Sequence, residues 1–248
     1  MRVTRRRVLA LGCALLPLAA IAADPAPPLK LVVGEMAPYA MSAGGPGPGA
    51  LVELTQELGK HMGVPMDVEF YPWSRALATA SLKPRTLILP VTRNDERETR
   101  YRWLVKLVRQ RFVFVGLHGS HDLADTAALK RARLTVLRGT PYKRLLLEAG
   151  FTDVSECTTV RECLRMVKKG IADASYGAED TQRSATHLDG NKENEFDFSP
   201  VFQQNEVWLA GSLDFTEEDG RKWRAAMEVL RADGSAARIL RKYGVNAN

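Results

Sequence analysis

The residues best suited to hold a small anion lie in one charged stretch, Thr92-Arg93-Asn94-Asp95-Glu96-Arg97-Glu98. A guanidinium is a planar fork that can give a carboxylate two parallel hydrogen bonds. By composition alone, Arg97 reads as a solvated surface charge, because Asp95, Glu96 and Glu98 surround it. Arg75 stands beside Trp73 at an expected helix start. Tyr39, Trp73 and Tyr142 are aromatic side chains that either stack on a bound molecule or pack in a core. The four histidines, His61, His118, His121 and His187, are scattered. His118 and His121 are three apart, but no cysteine or second histidine pair accompanies them, so no metal site is expected. No Ser-His-Asp or Cys-His pattern is legible. Glu179 is the one reasonable candidate for an acid or base. Neither a catalytic residue nor a cofactor is expected.

Cys157 and Cys163 are the two cysteines beyond the N-terminal segment. In an oxidising compartment a pair of cysteines suggests a disulfide. On one helix, six residues span about 9 Å, beyond disulfide reach. They can pair only if Cys157 lies in the loop ahead of the helix, and the sequence leaves both readings open.

The N-terminus bears on the compartment. Arg2, Arg5, Arg6 and Arg7 precede an apolar run, Val8 to Ala22, which ends in Ala20-Ile21-Ala22. This pattern reads as a cleaved secretory signal peptide over residues 1–22 and implies the periplasm. The run has about 15 residues, short of the about 20 a membrane-spanning helix needs. Thr4-Arg5-Arg6-Arg7-Val8-Leu9 also resembles a twin-arginine export signal, and both export routes stay open. Cys13 makes a poor lipoprotein box. Removing the segment takes four arginines and no acid, so the net charge falls from +6 to about +2. The remaining chain has no basicity that would argue for nucleic acid.

The rest of the chain must position these residues, and it alternates strands with helices. Strands are expected at Leu29–Gly34, Met66–Tyr71, Thr86–Val91, Phe112–Leu117, Leu134–Leu137, Asp153–Glu156 and Ala172–Tyr176. Helices are expected at Ala50–Met62, Ser74–Leu82, Tyr142–Ala149, Thr158–Lys169, Glu179–Leu188, Glu217–Leu230 and Ser235–Tyr243. Leu51, Leu54 and Leu58 share one helical face. Gly170 closes the helix that Thr158 or Thr159 caps. Strand-helix-strand-helix-strand occurs over 29–91 and again over 133–177. This repetition suggests two α/β lobes joined by crossovers near Gly116–Ser120 and Phe202–Glu206. The expected division is lobe 1 at 23–117 and 205–248, and lobe 2 at 118–204. Two crossovers of this kind make a hinge that closes on a ligand.

Six stretches resemble extracellular solute-binding proteins of family 3, the amino-acid-binding type used by bacterial ABC importers. They are Glu35-Met36-Ala37-Pro38-Tyr39, Gly49-Ala50-Leu51-Val52-Glu53-Leu54, Tyr71-Pro72-Trp73-Ser74-Arg75-Ala76-Leu77, Thr92 to Arg97 followed by Trp103, Leu137-Arg138-Gly139-Thr140, and Lys169-Gly170-Ile171-Ala172-Asp173-Ala174. The resemblance implies a two-lobed α/β periplasmic-binding-protein-like fold with the ligand cleft between the lobes. It also implies that Arg97 holds a ligand carboxylate, that Thr92 donates through its hydroxyl, and that Thr140 marks a turn opening a helix. Tyr39, Trp73, Arg75 and Arg93 are further candidates for the cleft. The sequence departs from the resemblance at two places. Ala178 stands where an acid for an α-ammonium is expected, with Glu179 and Asp180 beside it, and Asn94 stands where a Thr is expected.

The expected function is capture of a small polar solute, an amino acid or related carboxylate, by a monomer that serves an ABC permease in the inner membrane. The alternatives are a sensor or accessory binding module and, further off, a dehydratase-like enzyme on the same scaffold.

Overall fold

The computed structural model describes residues 28–245 apart from 44, 189, 191 and 193. The signal peptide expected over 1–22, its twin-arginine stretch and Cys13 lie outside the described residues. The first half of the chain runs β1 (Leu29–Val33), α1 (Ala50–Met62), β2 (Met66–Phe70), α2 (Trp73–Leu82), β3 (Thr86–Thr92), α3 (Asp95–Glu98) and β4 (Arg102–Leu117). The second runs α4 (Thr126–Leu129), β5 (Arg133–Leu137), α5 (Tyr142–Glu148), β6 (Asp153–Cys157), α6 (Val160–Lys168), β7 (Ala174–Ala178), α7 (Glu179–Leu188) and β8 (Phe196–Phe198). β9 (Gln203–Gly211), α8 (Glu217–Ala232) and α9 (Ser235–Lys242) close it. Among the described residues no helix is long and apolar enough to cross a membrane.

One curled sheet runs through the molecule in the order β2-β1-β3-β9-β4-β7-β5-β6, with β8 beside β4. β1 lies parallel between β2 and β3, and β5 lies parallel between β6 and β7. β4 and β9 pair antiparallel through the middle. Helices cover both faces, so β3 from Leu87 to Val91 and β1 from Leu31 to Val33 read as continuous apolar runs rather than alternating ones. On β1, Leu31 and Val33 face α1, α8 and α9, and Val32 faces Ala76 and Ala80 of α2. Leu51, Leu54 and Leu58 of α1 are fully buried, each contributing about 1.5–3 kcal/mol. Gly63 ends α1 in the left-handed conformation. Thr216 and Asp219 form a capping box that starts α8.

The second half repeats this plan. Phe112, Phe114, Leu134, Val136 and Tyr176 pack on the face that α5 covers. Val113 and Val115 point to the other face, against Leu164 and Val167 of α6. The two halves form two lobes, and the chain passes between them on β4 and β9. Val108 still packs in the first core, whereas Phe112 packs in the second. The crossing on β4 thus falls before the Gly116–Ser120 segment where it was expected. The crossing on β9 begins at Gln203, inside the expected Phe202–Glu206 segment.

The shift has a local cause. β4 begins at Arg102, ten residues before the strand expected from Phe112. Arg102, Lys106, Arg109 and Arg111 break the apolar pattern between them, so the stretch does not read as strand. The register also shifts between Trp103 and Val105 and again between Lys106 and Val108, which disrupts a period of two. The short elements α3, α4 and β8 fall below what periodicity resolves.

Candidate functional site

Arg97 sits on α3, a single turn that follows β3. Asn94 caps this turn through Oδ1, which accepts from the Arg97 N–H at 3.1 Å. The replacement of Thr by Asn at 94 therefore keeps a capping side chain. The cap turns Arg97 inward, and the residue is 8% exposed. Its Nη1 donates to the Thr92 carbonyl at 3.4 Å, and its Nη2 donates to the Gly139 carbonyl at 3.3 Å. Gly139 belongs to the second lobe, so this guanidinium spans the gap. Burial lowers its pKa, although it stays charged in any ordinary range. Among the described residues no carboxylate pairs with it. A neutral carbonyl at each end leaves a buried cation short of counter-charge.

Tyr39 is buried in a tight loop closed by the Met36 and Ala40 bridge. Gly49 holds this loop from behind: its φ is +98°, and a Cβ there would meet the Tyr39 carbonyl oxygen at 2.6 Å. The Tyr39 hydroxyl donates to Asp180 Oδ2 of the second lobe at 2.8 Å. Burial raises the Tyr39 pKa well above the usual phenol range, and the Asp180 charge adds to this. Burial also raises the Asp180 pKa, against the hydrogen bond from Tyr39.

Trp73 starts α2 and packs on Gly34, where a Cβ would meet its ring at 3.0 Å. The same ring lies near Gly139, so Trp73 sits where the lobes touch. Thr140 donates its hydroxyl to the Leu137 carbonyl at 2.6 Å and holds the turn that presents Gly139. Tyr142 opens α5, packs edge-on against Tyr176 at 5.6 Å, and lies within reach of the Arg97 charge. Burial raises the pKa of both tyrosines.

The other candidates are engaged by partners of their own, and Arg93 also lines a groove between the lobes. Arg75 is exposed and lies over the Tyr71 ring at 4.5 Å. Arg93 donates through Nε to Glu98 at 2.9 Å and lies between the rings of Trp103 and Trp208. Glu179 is buried but takes Arg111 at 2.8 Å and Arg183 at 2.9 Å. Asp173, in the Gly-Ile-Ala-Asp-Ala stretch, accepts from the backbone and guanidinium of Arg133 and pins the start of β5 to the entry of β7. Cys157 ends β6, ahead of α6, and forms a disulfide with Cys163 at a Cα separation of 5.4 Å.

Sequence reasoning missed two polar side chains. Thr181 and Gln182 of α7 are almost fully buried, and among the described residues Thr181 Oγ1 and Gln182 Oε1 have no hydrogen-bond partner. They wall a small cavity of about 20 Å³ together with Tyr142, Tyr176, Cys163 and Met36, the last from the first lobe. Their signal was helical spacing: positions 181, 182 and 185 fall on one face of α7, and all three are buried. A wider groove of about 460 Å³ opens between α3 and α5, where Arg144 faces Glu96 across the lobes at 3.7 Å. Among the described residues no cluster of His, Cys, Asp or Glu could hold a metal.

Two α/β lobes, two crossing strands and a site between them define the fold of periplasmic binding proteins, and this chain has that fold. No protein-family profile matches it. It is 21% identical over 194 residues to the L-cystine-binding protein TcyA of Bacillus subtilis (strain 168), across 77% of this chain and 70% of that one. It superposes on a histidine kinase sensor domain with similarity to periplasmic binding proteins, with a TM-score of 0.78 and 16% identity, over 87% of this chain and 96% of the other. It also superposes on the histidine-bound substrate-binding protein of an ABC uptake transporter from Streptococcus pneumoniae, with a TM-score of 0.77 and 15% identity, over 87% and 92%. The similarity to amino-acid-binding solute-binding proteins carried by the sequence motifs is thus found in sequence and fold alike.

Proposed function

We propose that this chain is an exported solute-binding protein that captures a small carboxylate-bearing molecule by closing two lobes on it. One observation carries the reading. Arg97 is buried, reaches from the first lobe to the Gly139 carbonyl of the second, and has no carboxylate partner among the described residues. A ligand carboxylate would supply the missing charge and hold both lobes at once. Closure is then a shift of population, set by the ligand's extra affinity for the closed form.

In this reading Thr92, Tyr39, Trp73 and Thr140 shape the closed gap around Arg97, Arg93 lines the adjoining groove, and Arg75 and Glu179 act outside it. The lobe division follows the two cores, so the first lobe ends between Val108 and Phe112 rather than at 117. The protein works as a periplasmic monomer that delivers its solute to an ABC permease. The binding role leans on the amino-acid-binding relative, and the permease on the transporter-linked structural neighbour. Its role in this reading is binding rather than catalysis, and the pairing of Glu179, the acid considered for catalysis, with two arginines supports that choice. The sensor-domain neighbour supports a second reading, a ligand-controlled signalling module. Finding a permease gene adjacent to this one would favour import over signalling.

The test is a thermal-shift screen against amino acids, small organic acids and polyamines, followed by X-ray scattering with each stabilising compound. A ligand that binds only the native state raises apparent stability. A hit that contracts the molecule supports the proposal. No stabilising solute across the three classes, or hits that leave the scattering unchanged, would overturn it.

A further inference from the structure

The walls of the interlobe cavity narrow the ligand class, an inference that rests on the binding-protein reading. None of the residues lining this cavity carries a charge. Its polar atoms are the neutral side chains of Thr181 and Gln182 and the tyrosine hydroxyls. Gln182 is built into place: its Nε2 donates to Ser175 Oγ at 2.8 Å, and it lies over Gly177, where a Cβ would meet Nε2 at 2.8 Å. Its Oε1 and the Thr181 hydroxyl are buried with nothing to bond among the described residues, which is costly unless an occupant bonds them.

The nearby acids are engaged elsewhere. Glu179 is paired with Arg111 and Arg183, and Asp180 accepts from Tyr39. An ammonium placed between the lobes at this cavity would lose its hydration and find no carboxylate on the wall. A hydroxyl would suit the wall better. It donates to Gln182 Oε1, accepts from Thr181, and brings no charge that needs burying. Arg97 does not line this cavity, but its charge acts on Tyr142, which does, and it asks for an anion.

We infer that the solute is a small hydroxy carboxylate rather than an α-amino acid, with its hydroxyl on Gln182 and Thr181 and its carboxylate toward Arg97. The closed cavity, about 20 Å³, holds little more than a water molecule. Entry therefore requires the lobes to part and Met36, a flexible side chain, to move aside.

The experiment is isothermal calorimetry of the exported chain with matched pairs of one carbon skeleton: lactate and alanine, 2-hydroxyisocaproate and leucine, 3-phenyllactate and phenylalanine. The expected result is that in at least one pair the hydroxy acid binds at least tenfold more tightly than the amino acid. Gln182→Glu and, separately, Ala178→Asp put a carboxylate on the same wall, and each should reduce or invert that ratio. Near-UV circular dichroism identifies which variants fold, and if neither does, the wild-type ratios decide. An amino acid that binds as well as or better than its hydroxy partner in every pair overturns the inference and leaves the binding-protein reading standing. An unchanged ratio in a folded variant overturns the assignment of this wall. Failure of both members of every pair to bind also overturns the inference. Only the broader screen and scattering experiment above then decides the fate of the binding-protein reading.

Discussion

Tyr39 and Asp180 are 141 residues apart in sequence and meet across the gap between the lobes, the phenol donating to the carboxylate at 2.8 Å. The bond joins the first-lobe loop held by Gly49 to the first turn of α7. It is a direct polar tie between lobes that involves no ligand atom. Together with the Arg97 contact to Gly139, it biases the hinge toward closure.

Replacing Tyr39 by Phe keeps the ring in its buried seat and deletes only the donor. The closed form should lose about 1 kcal/mol, which is about a fivefold change in the closed-to-open ratio. X-ray scattering of the unliganded protein should then show a larger radius of gyration. Identical scattering curves for Tyr39→Phe and the parent would mean that the contact does not hold the lobes.

Asp180 predicts a pH dependence whose sign follows from its raised pKa. The folded protein holds the proton more tightly than the unfolded chain. The group therefore favours folding fully below the unfolded carboxylate pKa, about 3.9. That contribution is lost as pH rises through the folded value. Asp180→Asn, which keeps an acceptor for Tyr39 and removes the buried charge, should raise Tm at pH 7.5. The gain should shrink as the pH is lowered toward about 4. A difference in Tm that stays constant over this range would contradict the assignment.

Arg97→Ala should weaken binding of the cognate solute by roughly 1.5–3 kcal/mol, on the order of ten- to a hundredfold in Kd. Arg97→Lys keeps the charge but loses the fork and should fall between the two. Calorimetry on a ligand found by the screen measures both. Unchanged affinity in the Ala variant would remove Arg97 from the site.

The disulfide between Cys157 and Cys163 closes a short loop, so its effect through the unfolded chain is modest, about 2 kcal/mol. The double variant Cys157→Ser/Cys163→Ser should lower the denaturation midpoint accordingly and still fold. Cys163 also walls the cavity, so ligand affinity should fall with it. An unchanged midpoint would show that the bridge does not contribute to stability.

Much of the scaffold was legible because its signals are local. The Leu51, Leu54 and Leu58 face, the glycine stop at 63 and the cap at Thr159 each follow from a few neighbouring residues. β4 was cut short because its charged residues and register shifts hide the period that marks a strand. Asn94, read as a departure, turned out to supply the cap that turns Arg97 inward.

By itself the sequence determined the order of most elements and the two-lobed repetition, because periodicity and caps act within a turn or two of chain; it read Arg97 as a surface charge, and only the family resemblance marked it as an anion partner. Tertiary structure decided which charges are spent and which remain. Glu179 and Asp180 are adjacent in sequence, yet one faces Arg111 and Arg183 and the other faces Tyr39. Tertiary structure also placed Gln182 Oε1 and Thr181 Oγ1, which have no partner among the described residues, on a wall without charge. The physical reason is that the cost of a buried polar group depends on what lies opposite it, and what lies opposite comes from distant parts of the chain.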